Sequence, residues 1–582
     1  MLKKTMLIKK VTLLKILISL FFLSMCGNIS LAQTPPAQEQ ASGQERSTQL
    51  QRQQERLRNE IETKRPEAEI EEDLPKEQAP ALPKGEKAFI KKIELSGITL
   101  FPEAQIRKII AEFENKELYL TDMQKAADLI TDAYRKKGYI TSRAYLPPQK
   151  IKDNIMEIRV IEGKMGDVEV KGNKFFKTSL YKKFITLKKG LPFNYQSLQK
   201  SLRLINQQKD RNAKAVISPG KETGQTDILL EVKDRFPIHL GLSYDNYASR
   251  FLRKNRYLTT LSEDNLLGQG DILTLQYMIT DAQDYDLKSS RYLYPVTINT
   301  DLGFYWAKSK LALGKEYKNV MARGKSKIFS LYVNQELINA ENLTLTWNTG
   351  FDYKDIFNFL LAVESSRDRL RVAKTSLDLD ATDKWGRNLL TTEFAFGIPN
   401  IMGGLRKKDP RCSRSGAGGK FTKTTINFLR LQRLPFSSTI LWKNQAQISP
   451  YILPAAEQFQ LGGINNVRGY PLAEFVGDSG YSMSWDWAIP VYFIPKAIKV
   501  PFSKARLYDA FRVVAFYDWA NVHLNRPLAG EIKDTTRRGF GCGLRLNLPE
   551  NFSVRADFAW PLDEIPSDGK HYHSYLEVKK EF

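Results

Sequence analysis

The stretch Leu461-Gly-Gly-Ile-Asn-Asn-Val-Arg-Gly-Tyr470 governs how the rest of the chain is read. Its glycines are incompatible with an ordinary strand or helix. One cation, Arg468, stands between small and aromatic neighbours. Such a loop lies either on a surface or folded into a polar cavity, and the flanking sequence has to choose.

On both sides of this loop, from Phe236 to Phe582, helical periodicity disappears and residues alternate with period two. Leu343, Leu345, Trp347, Thr349, Phe351 and Tyr353 share one face, opposite Thr344, Thr346, Asn348, Gly350 and Asp352. Tyr481, Met483, Trp485, Trp487 and Ile489 oppose Ser482, Ser484, Asp486 and Ala488. Phe540, Cys542, Leu544 and Leu546 oppose Gly541, Gly543, Arg545 and Asn547, and Phe552, Val554, Ala556, Phe558 and Trp560 oppose Ser553, Arg555, Asp557 and Ala559. In a soluble sandwich the apolar face would be the core. In a membrane barrel it meets lipid, while the polar face lines a wet lumen. Segment length fits a tilted bilayer span. At about 22 residues per strand and loop, residues 236–582 hold roughly sixteen antiparallel strands, so a transmembrane β-barrel is expected.

The N-terminus reads as an export signal over residues 1–32. Lys3, Lys4, Lys9 and Lys10 precede the apolar run Ile16–Met25, and Ser30-Leu31-Ala32 supplies a small-x-small cleavage site. A net charge of +23 would otherwise suggest nucleic acid, but export and the even spread of basic residues argue for a lysine-biased surface and no nucleic-acid partner. Hydrophobic content of 42% and mean hydropathy of −0.40 exclude a helical membrane protein. Only Cys412, on the basic loop Gly403–Lys420, and Cys542, on a lipid-facing position, follow the signal, so no disulfide framework exists.

Residues 33–64 begin Gln- and Pro-rich and end in a predicted helix, Ser47–Lys64, whose only apolar residues are Leu50, Leu57 and Ile61. So thin a stripe cannot join a normal core. The helix is either solvated or lies in a polar lumen. Residues 65–87 read as a linker. Residues 88–163 then give a strand Phe89–Leu95, a helix Pro102–Phe113, a helix opened by Thr121-Asp-Met-Gln124, and strands Ile140–Tyr145 and Ile155–Ile161. Residues 164–235 repeat this β-α-α-β-β order with Val168–Val170, Lys177–Phe184, Tyr195–Gln207, Ala213–Ser218 and Thr226–Val232. Each α+β module leaves open sheet edges that can accept an extended strand.

Motifs of catalysis are unsupported. Gly477-Asp-Ser-Gly480 resembles a nucleophile motif, but no histidine stands in a matching context. It reads as the exit of the glycine-rich loop. His571-Tyr-His573 has no evident acidic or cysteine partner and reads as a turn, so no metal and no cofactor is expected. Arg468 has better prospects. Tyr517 and Trp519 would face lipid, which turns Phe516, Asp518 and Ala520 to the lumen, and Asp486 on the neighbouring strand faces the same way. Arg468 could pair with Asp518, and with Asp486 as a second partner, or these could be unrelated hydrated charges.

The set Glu457-Gln-Phe-Gln-Leu-Gly-Gly463, Val467-Arg-Gly-Tyr470 and Gly477-Asp478 resembles the signature of two-partner-secretion outer-membrane transporters of the haemolysin-activator and filamentous-haemagglutinin type. Pro147-Pro-Gln149 with Val160-Ile-Glu-Gly163 resembles their first POTRA module, and Asp264-Asn-Leu-Leu-Gly268 their early barrel hairpin. Phe516-Tyr-Asp518 resembles the strand motif that faces the loop, with Ala520 where the family commonly has glycine. The resemblance implies a plug helix in residues 33–64, two periplasmic POTRA modules (88–163 and 164–235), and a sixteen-stranded barrel over 236–582. A loop at 459–480 would fold inward, with Val467, Arg468, Gly469 and Tyr470 at its tip. It implies a monomer in the outer-membrane lipid, inserted by the barrel-assembly machinery, that is not an enzyme. Its partner would be one large, unfolded β-helical secreted protein of haemolysin or adhesin type, exported without nucleotide hydrolysis. Tyr195, Leu198, Leu202, Ala213 and Val216 of the second module are the expected cargo-binding surface. An insertase or a passive porin with POTRA modules are the alternatives.

Overall fold

The computed structural model describes residues 61, 68–73, 87–281, 283–495, 497–501, 503, 505–549 and 551–582. The expected signal segment and, apart from Ile61, the expected Ser47–Lys64 helix lie outside these residues. Strand β1 (Ile70–Glu72) precedes two small modules.

The first comprises β2 (Ala88–Ile90), β3 (Lys92–Ser96), α1 (Glu103–Ile110), β4 (Lys116–Leu118), α2 (Leu120–Lys136), β5 (Arg143–Tyr145) and β6 (Ile155–Ile161). Its sheet runs β3–β6–β5. The stripes Ile106 and Ile110 of α1, and Ala126, Ile130 and Tyr134 of α2, cover Ile93, Met156 and Ile158. Glu162 ties the module together, accepting from the Tyr134 hydroxyl at 2.7 Å and the backbone N–H groups of Thr99 (2.7 Å) and Leu100 (2.8 Å). Burial pushes this carboxyl up, but the donors more than offset it and leave it below its usual range.

Two expectations are corrected here. The strand Phe89–Leu95 is broken at Lys91, because β2 turns away to pair with β4, which is too short to show a period. Helix α2 is capped at Tyr119, whose N–H reaches the Asp122 carboxylate at 3.3 Å, rather than at Thr121.

The second module comprises β7 (Lys164–Lys171), α3 (Thr178–Phe184), α4 (Tyr195–Asn206), β8 (Arg211–Pro219) and β9 (Gln225–Asp234). Asn194 caps α4, its side chain accepting the Ser197 N–H at 3.0 Å. The sheet order is β1–β8–β9–β7, with β1 parallel to β8 through Ile70↔Ala215, Glu71↔Val216 and Glu72↔Ile217. The expected linker thus supplies a strand that covers this sheet's edge. Lys214 anchors it, its Nζ 3.0 Å from Glu71.

The expected cargo-binding side chains do not form a surface. Leu198 and Leu202, one helical turn apart, are the core-facing stripe of α4, and Ala213 points inward from β8; all three are buried. Tyr195 packs against the same core, and Val216 sits in register between Leu229 and Glu71.

Sixteen strands then close into an antiparallel barrel. The first eight are β10 (Ile238–Asp245), β11 (Arg256–Glu263), β12 (Ile272–Thr280), β13 (Tyr285–Pro295), β14 (Thr300–Ala312), β15 (Arg323–Asn339), β16 (Leu343–Leu360) and β17 (Val363–Asp383). β18 (Gly386–Gly397), β19 (Phe421–Arg433) and β20 (Thr439–Ile448) follow. Then β21 (Phe459–Leu461) and β22 (Phe475–Gly477) form a separate hairpin within one long loop. β23 (Ser479–Pro490), β24 (Phe511–His523), β25 (Asp534–Leu548), β26 (Phe552–Pro561) and β27 (His573–Glu581) complete the wall. Trp306, Trp347, Trp485, Trp487 and Trp560 are exposed on the outside, while Ser484, Asp486, Asp518 and Asp557 are buried inside. Polar side chains inward and aromatic side chains outward are the pattern of a membrane barrel. β10 leaves the modules, so the ends of β10 and β27 nearest them share one rim and the loops 398–420 and 449–478 belong to the far rim. The seam β10–β27 is short, pairing Gly241–Asp245 with Glu577–Glu581.

Candidate functional site

The loop between β20 and β23 turns back into the barrel, and its tip carries Arg468. Gly469 permits this course. It has φ of 102°, and a Cβ there would lie 2.8 Å from the Pro561 nitrogen. Opposite, a Cβ on Gly539 of β25 would lie 2.1 Å from the Arg468 carbonyl oxygen, so the wall itself is thinned to admit the tip.

Arg468 is fully buried. Its Nε donates to Asp518 Oδ2 and its Nη2 to Asp518 Oδ1, both at 2.7 Å, and its backbone N–H adds a third bond at 2.9 Å. Nη2 also reaches Asp486 Oδ1 at 2.5 Å and Ser484 Oγ at 3.0 Å. The guanidinium lies 3.5 Å from the Phe516 ring centroid. Both expected partners are therefore engaged, in the planar, forked geometry that only arginine offers. Val467 and Tyr470 flank it, buried against Phe459, Leu461, Ala520 and Val522. Ala520, the departure from the usual glycine, is fully buried in that cluster.

Around this pair lies a network that residue-by-residue reading missed. Asp557 of β26 stands 3.6 Å from Arg468 Nη1, 2.6 Å from Arg545 and 2.8 Å from Arg555. Its lumen-facing parity was available in the strand pattern. The root of the loop has a second anchor. Glu457 is buried, with Lys354 Nζ at 2.8 Å and Lys423 Nζ at 2.5 Å, and the Gln447 side chain donates to its carbonyl at 2.9 Å. Asp478 closes the other root by accepting the N–H groups of Leu453 and Asn525, each at 2.7 Å. The Gly477–Gly480 stretch is thus the loop's exit, without nucleophile geometry.

With this geometry in hand, comparison with known proteins is specific. The profile described as "Haemolysin secretion/activation protein ShlB/FhaC/HecB" matches residues 224–509, and "POTRA domain, ShlB-type" matches residues 88–163. The heme/hemopexin transporter protein HuxB of Haemophilus influenzae strain 86-028NP is 22% identical over 494 residues, covering 82% of this chain and 84% of HuxB. The outer membrane transporter CdiB of Escherichia coli O6:K15:H31 is 24% identical over 405 residues, 67% of each chain. The solved structure of CdiB from Escherichia coli superposes with a TM-score of 0.73 at 20% identity, covering 95% of this chain and 100% of that one. The chain belongs to the ShlB/FhaC/HecB family of two-partner-secretion transporters.

As a member of that family it is an outer-membrane transporter of a secreted partner protein, with its POTRA modules in the periplasm. The rim carrying loops 398–420 and 449–478 is accordingly extracellular. Loop 398–420 packs within that end of the transporter's barrel. Cys412 is buried, its Sγ donating to Asp368 at 3.2 Å, beside the Ser413 hydroxyl at 2.7 Å from the same carboxylate. Cys542 is exposed on the outside, and both cysteines are free. On the periplasmic side a cavity of about 1040 Å³ extends from the second POTRA module into the pore, lined by Arg203, Arg291, Tyr332, Asn348, Lys374, Asp378, Arg387 and Glu393 among others. Ile61, the described residue of the expected plug helix, is helical and packs on the lumen-facing Leu389, Leu429 and Leu441.

Two histidine sites are clarified. His573 does have an acidic partner, Asp568, at 3.1 Å, in the turn before β27. Asp210, His239 and Asp264 gather at the junction of module and barrel with ligand atoms within 4.8 Å of one another. There the imidazole is engaged by Asp210 at 2.8 Å, joining β8's approach to β10.

Proposed function

We propose that this transporter exports one large, unfolded β-helical partner protein of haemolysin or adhesin type, drawing its work from binding and folding without nucleotide hydrolysis. The observation that carries this reading is the pairing of β1 with β8. The backbone edge of β8 that β1 covers, not the buried side chains of α4, is the docking line for an extended cargo segment. β1 holds that line at rest. Only residues 62–69 separate Ile61 from Ile70, a reach of about 30 Å at most. A cargo strand that displaces β1 therefore slackens the tether of Ile61, which rests on the lumen-facing Leu389, Leu429 and Leu441. The buried fork from Arg468 to Asp518 and Asp486 keeps the inward loop on the wall while the plug leaves, so the pore opens without loss of the barrel. The polypeptide passes extended and folds outside, which gives direction.

The working unit is a monomer, with modules at 88–163 and 164–235 and a barrel over 236–582, inserted by the barrel-assembly machinery. The test is a disulfide between β1 and β8. The double variant Glu71→Cys, Val216→Cys places cysteines at directly paired positions. Secretion should stop under oxidising conditions and recover with reductant. Unchanged secretion by the fully oxidised protein would overturn the displacement step.

A further inference from the structure

The outside of the barrel carries a charged row that its inward network does not explain. Lys288 of β13, Lys308 of β14 and Lys327 of β15 are exposed and stand directly opposite one another across three adjacent strands. The next row repeats the feature, with Lys310 facing Lys325, and Arg323 is exposed at the end of β15. All lie toward the extracellular ends of their strands. Two residues below Lys308 is the exposed Trp306, cross-strand from Phe329, which marks the upper margin of the apolar band. The side chains of Lys288 and Lys325 lie over aromatic rings, Tyr277 at 5.6 Å and Phe359 at 5.1 Å.

Like charges directly opposite on adjacent strands repel. Two carboxylates share this face. Asp355, opposite Lys327, is bound by Arg371 at 3.0 Å, and Asp286, opposite Lys310, is left to a row of cations. Among the described residues no carboxylate lies within ion-pair distance of the five lysines. Long lysine stems reach from apolar surface to a polar boundary, which suits a headgroup layer better than hydrocarbon.

We infer that the extracellular ends of β13–β15 form a docking surface for a phosphorylated lipid of the outer leaflet, whose phosphates bridge Lys288, Lys308 and Lys327. The charge is complementary, the height is that of a headgroup, and the aromatic residues beneath would hold acyl chains. A lipid held there would brace these three strands in the membrane.

The test uses the full-length transporter reconstituted in phosphatidylcholine nanodiscs, with or without a bisphosphorylated lipid A, and reads lipid co-purified after gentle detergent extraction. Folding is checked by the heat-dependent gel mobility of the barrel. Wild type should retain the phosphorylated lipid. The variant Lys288→Gln, Lys308→Gln, Lys327→Gln should bind it roughly a hundredfold more weakly, at about a factor of five per lysine near an anionic surface. If the triple variant does not fold, Lys308→Gln alone should lose about fivefold. Equal retention by a folded variant would overturn the inference, as would full competition by inorganic phosphate, which would make this a site for free anions.

Discussion

The cations of the inner network and the lysine row outside the barrel are treated in opposite ways. Inside, Arg468, Arg545, Arg555 and Lys354 each meet a carboxylate within 3.0 Å, on Asp518, Asp557 or Glu457. Outside, Lys288, Lys308 and Lys327 face each other. The difference follows from the solvent. A buried charge needs a partner within the protein, because its desolvation cost is otherwise uncompensated. A charge at the membrane boundary can take its partner from water or headgroups. Inward charge therefore holds the chain's own loop, and outward charge is available to something else.

Four changes break or sharpen this contrast, in falling order of effect. Arg468→Ala strands Asp518 and Asp486 without their shared cation, at a cost of about 3–5 kcal/mol. Secretion should fall to near background while the barrel still reaches the outer membrane, read by partner protein in the medium against heat-modifiable barrel in membranes. Normal secretion would mean that the fork is not needed. Arg468→Lys keeps the charge but loses the fork and should recover only a minor part of secretion. Glu457→Gln removes the charge that Lys354 and Lys423 share while keeping the shape, and should lower stability by about 1–3 kcal/mol with partial secretion. A midpoint of denaturation equal to wild type would show that the loop root is held by Asp478 alone. Lys308→Gln, at the outer boundary, should change stability in detergent by no more than about 0.5 kcal/mol. A larger loss would place that lysine in an internal pairing and erase the contrast.

The barrel was legible because strand alternation is local. With Tyr517 and Trp519 toward lipid, Asp518 has to face the lumen, and the structure places Arg468 on it. The Glu457 anchor was not legible, because its lysines sit on β16 and β19, elements brought near only by barrel closure. The cargo surface failed for a different reason. Leu198 and Leu202 form the apolar stripe of an amphipathic helix, and such a stripe announces burial without naming what it is buried against. β1 is not legible in the sequence because Ile70-Glu-Glu72 is too short to display a period, and its pairing with β8 spans most of two modules.

The short seam has a consequence for assembly. β10 and β27 pair across a separation of more than 300 residues, so the ring cannot close until the final strand has been delivered. Contact order of that size makes closure the slowest and last step of folding. Until then both terminal strands are bare edges, open to pairing with anything extended nearby. The nine residues of β27, five of them paired to β10, therefore act as a clasp, and a chain shortened there would be left as an open, sticky sheet instead of a smaller pore.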